Sequence, residues 1–434
     1  MLSPGSVVEL AVEKPAAGGR MIARHEGLVV LVHAAIPGER VRALVERIGP
    51  GVAYATTVDV IEPSPDRRTG IRDWACGGNV YAHVAYPRQL ALKADVLADA
   101  LTRIGRLPSG APIPVTPSPE TGYRMRARLH ARGRTLGFFR EGTHRLCNPA
   151  ATGQLLPETC ELVSALSEQV RDGALDGVIE IELAENVPAS ERALHFELDR
   201  PVTPVGLAET ARFATLVGVS AAFAARGEAG RQPIRRTVTA GGTPCVLDTL
   251  ELAGPSGTAS ARLQHHAQAF FQANRYLLAT LARRVASLVP PGPVADLYAG
   301  VGLFAVSLAA SGRAPIVAVE GDRAAAADLR ANAAPYLDVL EPVEMAVEAF
   351  LAARPVGIDT TIVVDPPRTG MSKETSAAIA AQKAGRLVYV SCDAATFARD
   401  ARKLVDAGYR LEHLEAFDLF PCTAHVEALA VFTR

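Results

Sequence analysis

No run of this 434-residue chain stays apolar for the roughly 18 residues that a membrane-spanning helix needs. A secretory start is missing too, since MLSPGSVVELAVEKP shows no basic opening, apolar stretch and cleavage site in succession. Cysteine is sparse: the six residues (76, 147, 160, 245, 392 and 422) are scattered and make no disulfide-like ladder. In a chain this long that favours a reducing compartment, and the expectation is a cytoplasmic protein. Net charge is almost absent, at −1, so the whole-chain balance names no nucleic acid partner. No internal repeat or low-complexity tract stands out beyond a richness in alanine.

What is present suits a globular protein of several parts. Hydrophobic residues make up 49% and charged residues 21%, which allows a large buried core and argues against extensive disorder. The length suggests roughly two to four domains. Charge is unevenly spread. Residues 1–150 carry 20 Lys and Arg against 13 Asp and Glu, a net of +7, and the remainder carries 25 against 33, a net of −8. A basic front joined to an acidic back fits a binding part joined to a catalytic part, although charge alone equally allows chance asymmetry.

Residues 6–62 read as short strands. VVELAVEK, GLVVLVH, RVRALVERI and YATTVDVIE are rich in Val, Ile and Thr and are broken by Gly and Pro turns. Five or so strands at this spacing suggest a small closed barrel of OB-like type, a class that often binds single-stranded nucleic acid. Pro63 to Gly78 is a polar linker, and Tyr86 to Gly105 has helical apolar spacing and closes on glycine. Tyr123 to His130 then alternates strictly: Arg124, Arg126 and Arg128 fall on one face of a strand, Tyr123, Met125, Ala127 and Leu129 on the other. A solvated sheet face would read the same way. The density of arginine without matching acids tips the reading toward phosphate contact.

From about residue 263 strand, Gly-rich turn and helix follow one another, the pattern of a doubly wound α/β sheet. Asp296-Leu-Tyr-Ala-Gly-Val-Gly302 ends a strand and opens a helix, where glycine lets the backbone approach a ligand. The next strand ends in Glu320, placed to accept a pair of ribose hydroxyls. Asp365-Pro-Pro-Arg368 follows the apolar strand Thr361 to Val364, at the sheet edge where such enzymes place their sites. Cys392 follows RLVYVS at that same edge, and Glu427 opens the last strand. A free cysteine is more often a small buried hydrophobe than a catalyst. A thiol and a carboxylate at one sheet edge would nonetheless suit nucleophile and base, and a lowered thiol pKa is expected if Cys392 attacks as thiolate.

Taken together, these motifs resemble the RNA (uracil-5-)-methyltransferase family over nearly the whole chain. The start is similar to its TRAM domain, and GYRMRARLH followed by LGFFREGTH to its central RNA-binding sheet. Phe270-Phe-Gln272-Ala-Asn274, DLYAGVGLF, VAVE, DPPR, SCD and FPCTAHVE then follow in the family's order. The resemblance implies an α/β fold with a Rossmann-like class I methyltransferase domain at 263–434, an N-terminal OB-like TRAM barrel at 1–62, and a mostly-β RNA-binding domain at 63–262 whose helix 86–105 packs on the catalytic part. It implies a monomer acting on ribosomal or transfer RNA. Gln272, Tyr298, Glu320 and Asp365 would bind S-adenosylmethionine, Cys392 would add to carbon 6 of a uridine, and Glu427 would remove the carbon 5 proton. Arg124, Arg126 and Arg128 would contact RNA. Leu303 stands where some members carry a polar cofactor contact, so that contact is not implied. Many members also hold a [4Fe–4S] cluster on four cysteines. Here Gly70 and Asn79 replace two of them, Cys76 remains, and the fourth position falls near Thr152 with Cys147 close by. One or two thiolates cannot replace four, and no cluster is expected.

Three other readings stand beside this one. A base-amino methyltransferase would also use Asp-Pro-Pro but needs no covalent thiol. An RNA cytosine-5-methyltransferase would place its cysteine after a proline in the loop where this chain has DPPR. A non-catalytic RNA-binding protein would have no use for Cys392, Glu427 and Asp365 together.

Overall fold

The computed structural model describes residues 2–69, 75–108, 111–200, 215–225, 234–254, 257–382 and 384–434. Five strands, β1 (Val7–Pro15), β2 (Met21–His25), β3 (Leu28–His33), β4 (Arg40–Gly49) and β5 (Val52–Glu62), close into a barrel in the order β1-β2-β3-β5-β4. Strand periodicity sends Leu10, Val12, Val30, Val32, Val41 and Ala43 inward. The strand that the sequence patterns leave out is β2, whose five residues include Arg24 and His25 and carry little alternation. Val80, Tyr81 and Val84 of the linker and Leu92 of the following helix complete the barrel core.

That helix spans Tyr86–Arg103, with Pro87 in its first turn, where a missing N–H costs nothing. Gln89, Leu92, Lys93, Val96, Leu97, Ala100 and Leu101 are its buried residues, at helical spacing. It packs on a helix of the catalytic core, Ala394–Asp406. A two-residue strand, β6 (Val115–Thr116), follows.

The central sheet has seven strands: β7 (Arg126–Arg132), β8 (Thr135–Phe139), β9 (Leu146–Cys147), β10 (Val178–Glu185), β11 (Arg192–Leu198), β12 (Leu216–Ala225) and β13 (Ile234–Gly242), in the order β13-β12-β11-β10-β7-β8-β9. The helix Pro157–Asp172 covers one face through Leu162, Val163, Leu166 and Val170. Cys147 of β9 is joined by a disulfide to Cys76, 71 positions earlier. The scattered spacing gave no sign of this one bridge, although it makes no ladder. Scattered spacing along a chain says nothing of distance once the linker folds onto the central sheet, where the two Cα atoms lie 5.8 Å apart. Gly70 lies outside the described residues.

A hairpin, β14 (Cys245–Gly254) and β15 (Gly257–His266), comes next. It sends Leu250, Leu252 and Leu263 into the catalytic core and Val246 against Ala184 and Ala193 of the central sheet. A boundary at 262/263 therefore falls inside β15, in an element that packs on both sides. The last sheet has eight strands. β16 (Val294–Leu297), β17 (Ile316–Glu320), β18 (Leu340–Glu344), β19 (Thr361–Val364) and β20 (Arg386–Ser391) are parallel, β22 (Glu427–Thr433) runs antiparallel between β20 and β21 (Arg410–Phe417), and the order is β18-β17-β16-β19-β20-β22-β21-β6. Its inner strands are buried on both faces, as expected where helices cover both sides. No helix among the described residues is long and apolar enough to cross a membrane.

One buried ion pair ties the N-terminal helix to the end of the chain. Lys93 Nζ donates to Asp418 Oδ1 and to the Phe420 carbonyl at 2.9 Å, with both side chains fully shielded. Burial pulls the Lys93 pKa down, and Asp418 only partly opposes it. We expect Lys93→Met to destabilise the fold by about 3–5 kcal/mol, because it strands a buried charge. Lys93→Met with Asp418→Leu should recover much of that loss. Urea unfolding midpoints of the two variants check both statements.

Candidate active site

The order of the parallel strands reverses between β16 and β19, and ligands bind outside the carboxyl ends at such a point. Four of the residues singled out in sequence sit on turns that leave this edge: Tyr298 after β16, Glu320 at the end of β17, Asp365 after β19 and Cys392 after β20. Glu427 joins them because β22 is antiparallel, so its first residue lies at the same edge; its neighbour Ala428 pairs with Ser391. Gln272 arrives from a separate segment and donates from Nε2 to Asp365 Oδ2 at 3.2 Å. A narrow cavity of about 40 Å³ is lined by Phe270, Gln272, Tyr298, Gly300, Leu303 and Asp365, among others.

The first turn is built by local geometry. Gly302 sits at φ 96°, and a Cβ there would approach Leu329 Cδ1 to 2.8 Å, so only glycine fits. Tyr298 also has positive φ, 61°, an uncommon state for a residue with a side chain. Its hydroxyl shares a hydrogen bond of 3.0 Å with Thr375 Oγ1, which donates in turn to Glu348. Asp296 accepts from the Ala305 amide at 2.9 Å, and burial raises its pKa well above the usual range. Glu320 accepts from the amides of Gly300 and Asp322 at 2.7 and 2.6 Å, which aims its carboxylate and leaves a lone pair on each oxygen.

The donor set suits an adenosine-containing cofactor. Glu320 is placed for a ribose diol, Gln272 and Asp365 for polar groups, and Phe270, Phe271 and Phe304 supply aromatic surface. At this edge the buried Asp296 Oδ1 and Glu427 Oε1 have no hydrogen-bond partner among the described residues, which leaves both able to accept from a bound group.

Electrostatics at the edge run against one expectation. The Cys392 thiol is pushed up to about 12, chiefly by burial and then by the Glu427 and Asp365 carboxylates, with Arg368 opposing. The expected lowering is thus corrected. Asp393 does cap the helix Ala394–Asp406 beside the thiol, accepting from Thr396 N at 2.8 Å, and a helix N-terminus favours thiolate. Two carboxylates in a dry site outweigh it. Burial also raises Asp365 to about 7, and raises Glu427 well above the carboxylate range with Asp365 adding to the rise. Like charges that share a site resist ionising together.

The sequence reading did not assign Arg368 or His425. Arg368 lowers the pKa of both Cys392 and Glu427, and its guanidinium lies 3.4 Å from His425 Nε2. Burial and the nearby cations hold the His425 pKa down to about 4. The signal was the basic fourth position of DPPR.

The segment from Asp418 to Cys422 leads to Glu427 without regular structure, and other segments hold it. The Leu419 carbonyl accepts from Asn274 Nδ2 at 3.0 Å, that of Pro421 from the Tyr123 hydroxyl at 3.2 Å, and that of Cys422 from the Tyr81 amide at 2.8 Å. Lys93 holds Phe420.

The arginine row does not meet its expectation. Arg124 donates to Gln154 Oε1 at 2.7 Å and to the Arg126 carbonyl at 2.7 Å, and it lies over the Phe138 ring. Arg126 donates to the carbonyls of Ala267 and His266 at 2.6 and 3.4 Å. Only Arg128 is exposed, and it pairs with Glu180 and Glu182. Alternation along the strand is as read. The end of the hairpin engages Arg126 and Gln154 engages Arg124, so these two do not present a phosphate-contacting row.

Comparison with known proteins agrees with this architecture. Residues 262–434 match the family described as tRNA (Uracil-5-)-methyltransferase, and residues 2–58 match the TRAM domain. The 23S rRNA (uracil(1939)-C(5))-methyltransferase RlmD of Methylococcus capsulatus is 32% identical over 99% of this chain and 98% of its own length. The protein of the same name from Azoarcus sp. is 32% identical over 96% and 97%. In fold, the chain is similar to the Pyrococcus abyssi tRNA (uracil-54, C5)-methyltransferase solved with S-adenosyl-L-homocysteine, with a TM-score of 0.72, 24% identity and coverage of 98% and 99%.

If carboxylates raise the thiol pKa, removing one must lower it. Alkylation of Cys392 by iodoacetamide should rise with pH through the alkaline range. At a fixed alkaline pH it should be faster in Glu427→Gln than in the unaltered protein. Peptide mass spectrometry measures the rate, and an equal or slower rate in Glu427→Gln would refute this electrostatic account.

Proposed function

This chain belongs to the RNA (uracil-5-)-methyltransferase family, and from that premise we propose that it methylates carbon 5 of a uridine in ribosomal or transfer RNA through a covalent bond from Cys392. The observation that carries the mechanism is the convergence of a thiol and two mutually repelling carboxyls, Cys392, Glu427 and Asp365, at one sheet edge. S-adenosylmethionine supplies the methyl group as an electrophilic sulfonium.

Carbon 5 of uracil is a poor nucleophile. Cys392 corrects this by adding as thiolate to carbon 6, which pushes an electron pair through carbon 5 into an enolate. Carbon 5 then takes the methyl group. Glu427 removes the proton left on carbon 5, and that electron pair expels the thiolate from carbon 6. Cys392 leaves as the thiolate that attacked, and turnover is complete when Glu427 gives up the carbon 5 proton, to the thiolate or to solvent. The high resting pKa of the thiol has a removable cause. A positive charge beside Asp365, Glu427 and Cys392 favours the ionised form of all three, and the cofactor that Gln272, Tyr298, Glu320 and Asp365 would hold is cationic. Nucleophile activation is thereby coupled to cofactor binding, and a free thiolate is not left exposed without its methyl donor.

The relatives named for 23S rRNA favour a ribosomal uridine, and the chain acts as a monomer on this reading. The target base must leave its stack to reach a site this recessed. An iron–sulfur cluster is not part of the proposal, because Asn79 and Thr152 offer no thiolate beside Cys76 and Cys147. Iron bound after anaerobic purification, with a sulfur-to-iron absorption band, would overturn that statement.

Cys392→Ala should abolish methylation, and full activity in that variant would favour chemistry without a covalent thiol. Glu427→Gln should stall before proton removal and accumulate RNA-linked protein, visible as a slower band on denaturing gels. Absence of an adduct both in that variant and with 5-fluorouridine RNA would rule the mechanism out. Nucleoside mass spectrometry with site mapping, on RNA from a strain lacking the gene, identifies the uridine.

A further inference from the structure

With Arg124 and Arg126 engaged internally, another part of the central sheet offers what an RNA strand needs. Strand alternation places His130 and Arg132 of β7 on the face opposite Ala127, Leu129 and Ala131, which lie in the core. Phe139, at the end of β8, stacks on His130 with centroids 3.9 Å apart and an interplanar angle of 12°. His144, exposed in the loop that follows, meets the Phe139 ring edge-on at 5.3 Å and 87°. The Arg132 guanidinium lies 6.0 Å from the centroid of the same ring.

Beside these rings is a cavity of about 320 Å³, lined by Gly77, Phe139, Arg140, Glu141, Thr143 and His144, among others, and not by His130. His130 thus backs one face of Phe139 while the cavity lies against the remainder. The wall at Gly77 leaves no room for a side chain: a Cβ there would come 3.0 Å from the Phe139 carbonyl. The space is larger than that beside the catalytic edge, about 40 Å³. Between residues 126 and 147 the chain carries six arginines against one glutamate. Glu180 and Glu182 on β10 already engage Arg128 and His130, whereas Arg132 and Arg145 are exposed at the open end of the sheet. Burial, and after it the neighbouring Arg128 and Arg132, lower the His130 pKa and favour the neutral ring, the form that stacks without a charge to solvate.

We propose that the Phe139–His130 stack, with His144 and Arg132 at its rim, is a shelf on which an unpaired base of the substrate RNA stacks while an adjoining phosphate meets Arg132. This rests on the reading of RNA as substrate and extends it to a second contact away from the reacting uridine. An aromatic face beside cations is the combination that binds single strands with little regard to sequence, and the cavity gives the base somewhere to lie. The shelf connects to the active site through the scaffold. Gln154, whose side chain packs against Gly78, and the Pro421 carbonyl on the segment leading to Glu427 share the single hydroxyl proton of Tyr123.

The test uses the full chain and measures binding without methyl transfer, so its outcome does not depend on whether Cys392 forms an adduct. The probes are a fluorescein-labelled oligouridine of about 10 nucleotides, within the span one such fold covers, and a blunt RNA duplex of equal length. Phe139→Leu keeps an apolar side chain and removes the ring face. It should weaken oligouridine binding about 5- to 100-fold while leaving duplex binding and S-adenosylmethionine binding unchanged. His144→Ala should weaken oligouridine binding in the same direction, and Arg132→Gln should reduce the salt dependence of binding by about one unit of slope. Wild-type affinity for oligouridine in Phe139→Leu would overturn the shelf, and so would an equal loss for duplex and single strand. An unaltered chain that binds neither probe would refute the RNA reading itself, and the shelf with it.

Discussion

Between β21 and β22 the chain runs from Asp418 to Val426 without a helix or strand, and its backbone must find hydrogen-bond partners elsewhere. It finds them in several separate parts of the molecule, β6 among them through the Thr116 carbonyl. Tyr81 belongs to the linker behind the barrel, Lys93 to the first helix, Tyr123 to the approach to the central sheet, and Asn274 to the segment that carries Gln272. The placement of Glu427 therefore depends on every region packing correctly. This explains why a charged pair as costly to bury as Lys93 and Asp418 is found here. A buried ion pair is weak evidence of stability, but its ammonium can satisfy a carboxylate and a carbonyl together, which an apolar side chain cannot do. Cys422, held in the left-handed region at φ 63°, shows the same constraint as local strain.

A second consequence concerns charge. The sheet edge brings three acidic groups together, Glu427 buried and Asp365 and Cys392 half-buried, so each resists ionisation. For catalysis this is useful. A thiol kept protonated at rest is protected from oxidants and stray electrophiles, and on the proposed mechanism a cationic methyl donor would relieve the repulsion once bound. Arg368 supplies a fixed part of that relief.

The central sheet shows how one strand face can be divided between structure and recognition. Near β14 and β15 its Arg126 holds the end of the hairpin in place. Toward β8 the same face opens, and rings replace ion pairs. The disulfide between Cys76 and Cys147 fastens the linker to this open end, next to Gly77, which walls the cavity.

The sequence by itself determined much of the catalytic core, because the relevant signals are local. A strand of apolar β-formers, a glycine turn and an acid at the next strand's end lie within one strand–helix–strand unit, Val294 to Glu320, and the same strand-end pattern marks Asp365 and Cys392 at that edge. β2 and β18 were harder to read: β2 is short and carries Arg24 and His25, and β18 has one fully buried residue among five. Tertiary structure alone decided three other matters. Whether an arginine face meets solvent depends on what packs over it, and a hairpin more than 100 residues downstream covers Arg126. Whether two cysteines meet depends on how the linker folds back. The thiol's proton affinity depends on carboxylates from β19 and β22, segments that are near Cys392 only in the folded sheet. Periodicity carries the first kind of information because it repeats within a turn or two of chain. Burial and charge–charge coupling act through space, and only the assembled fold sets those distances.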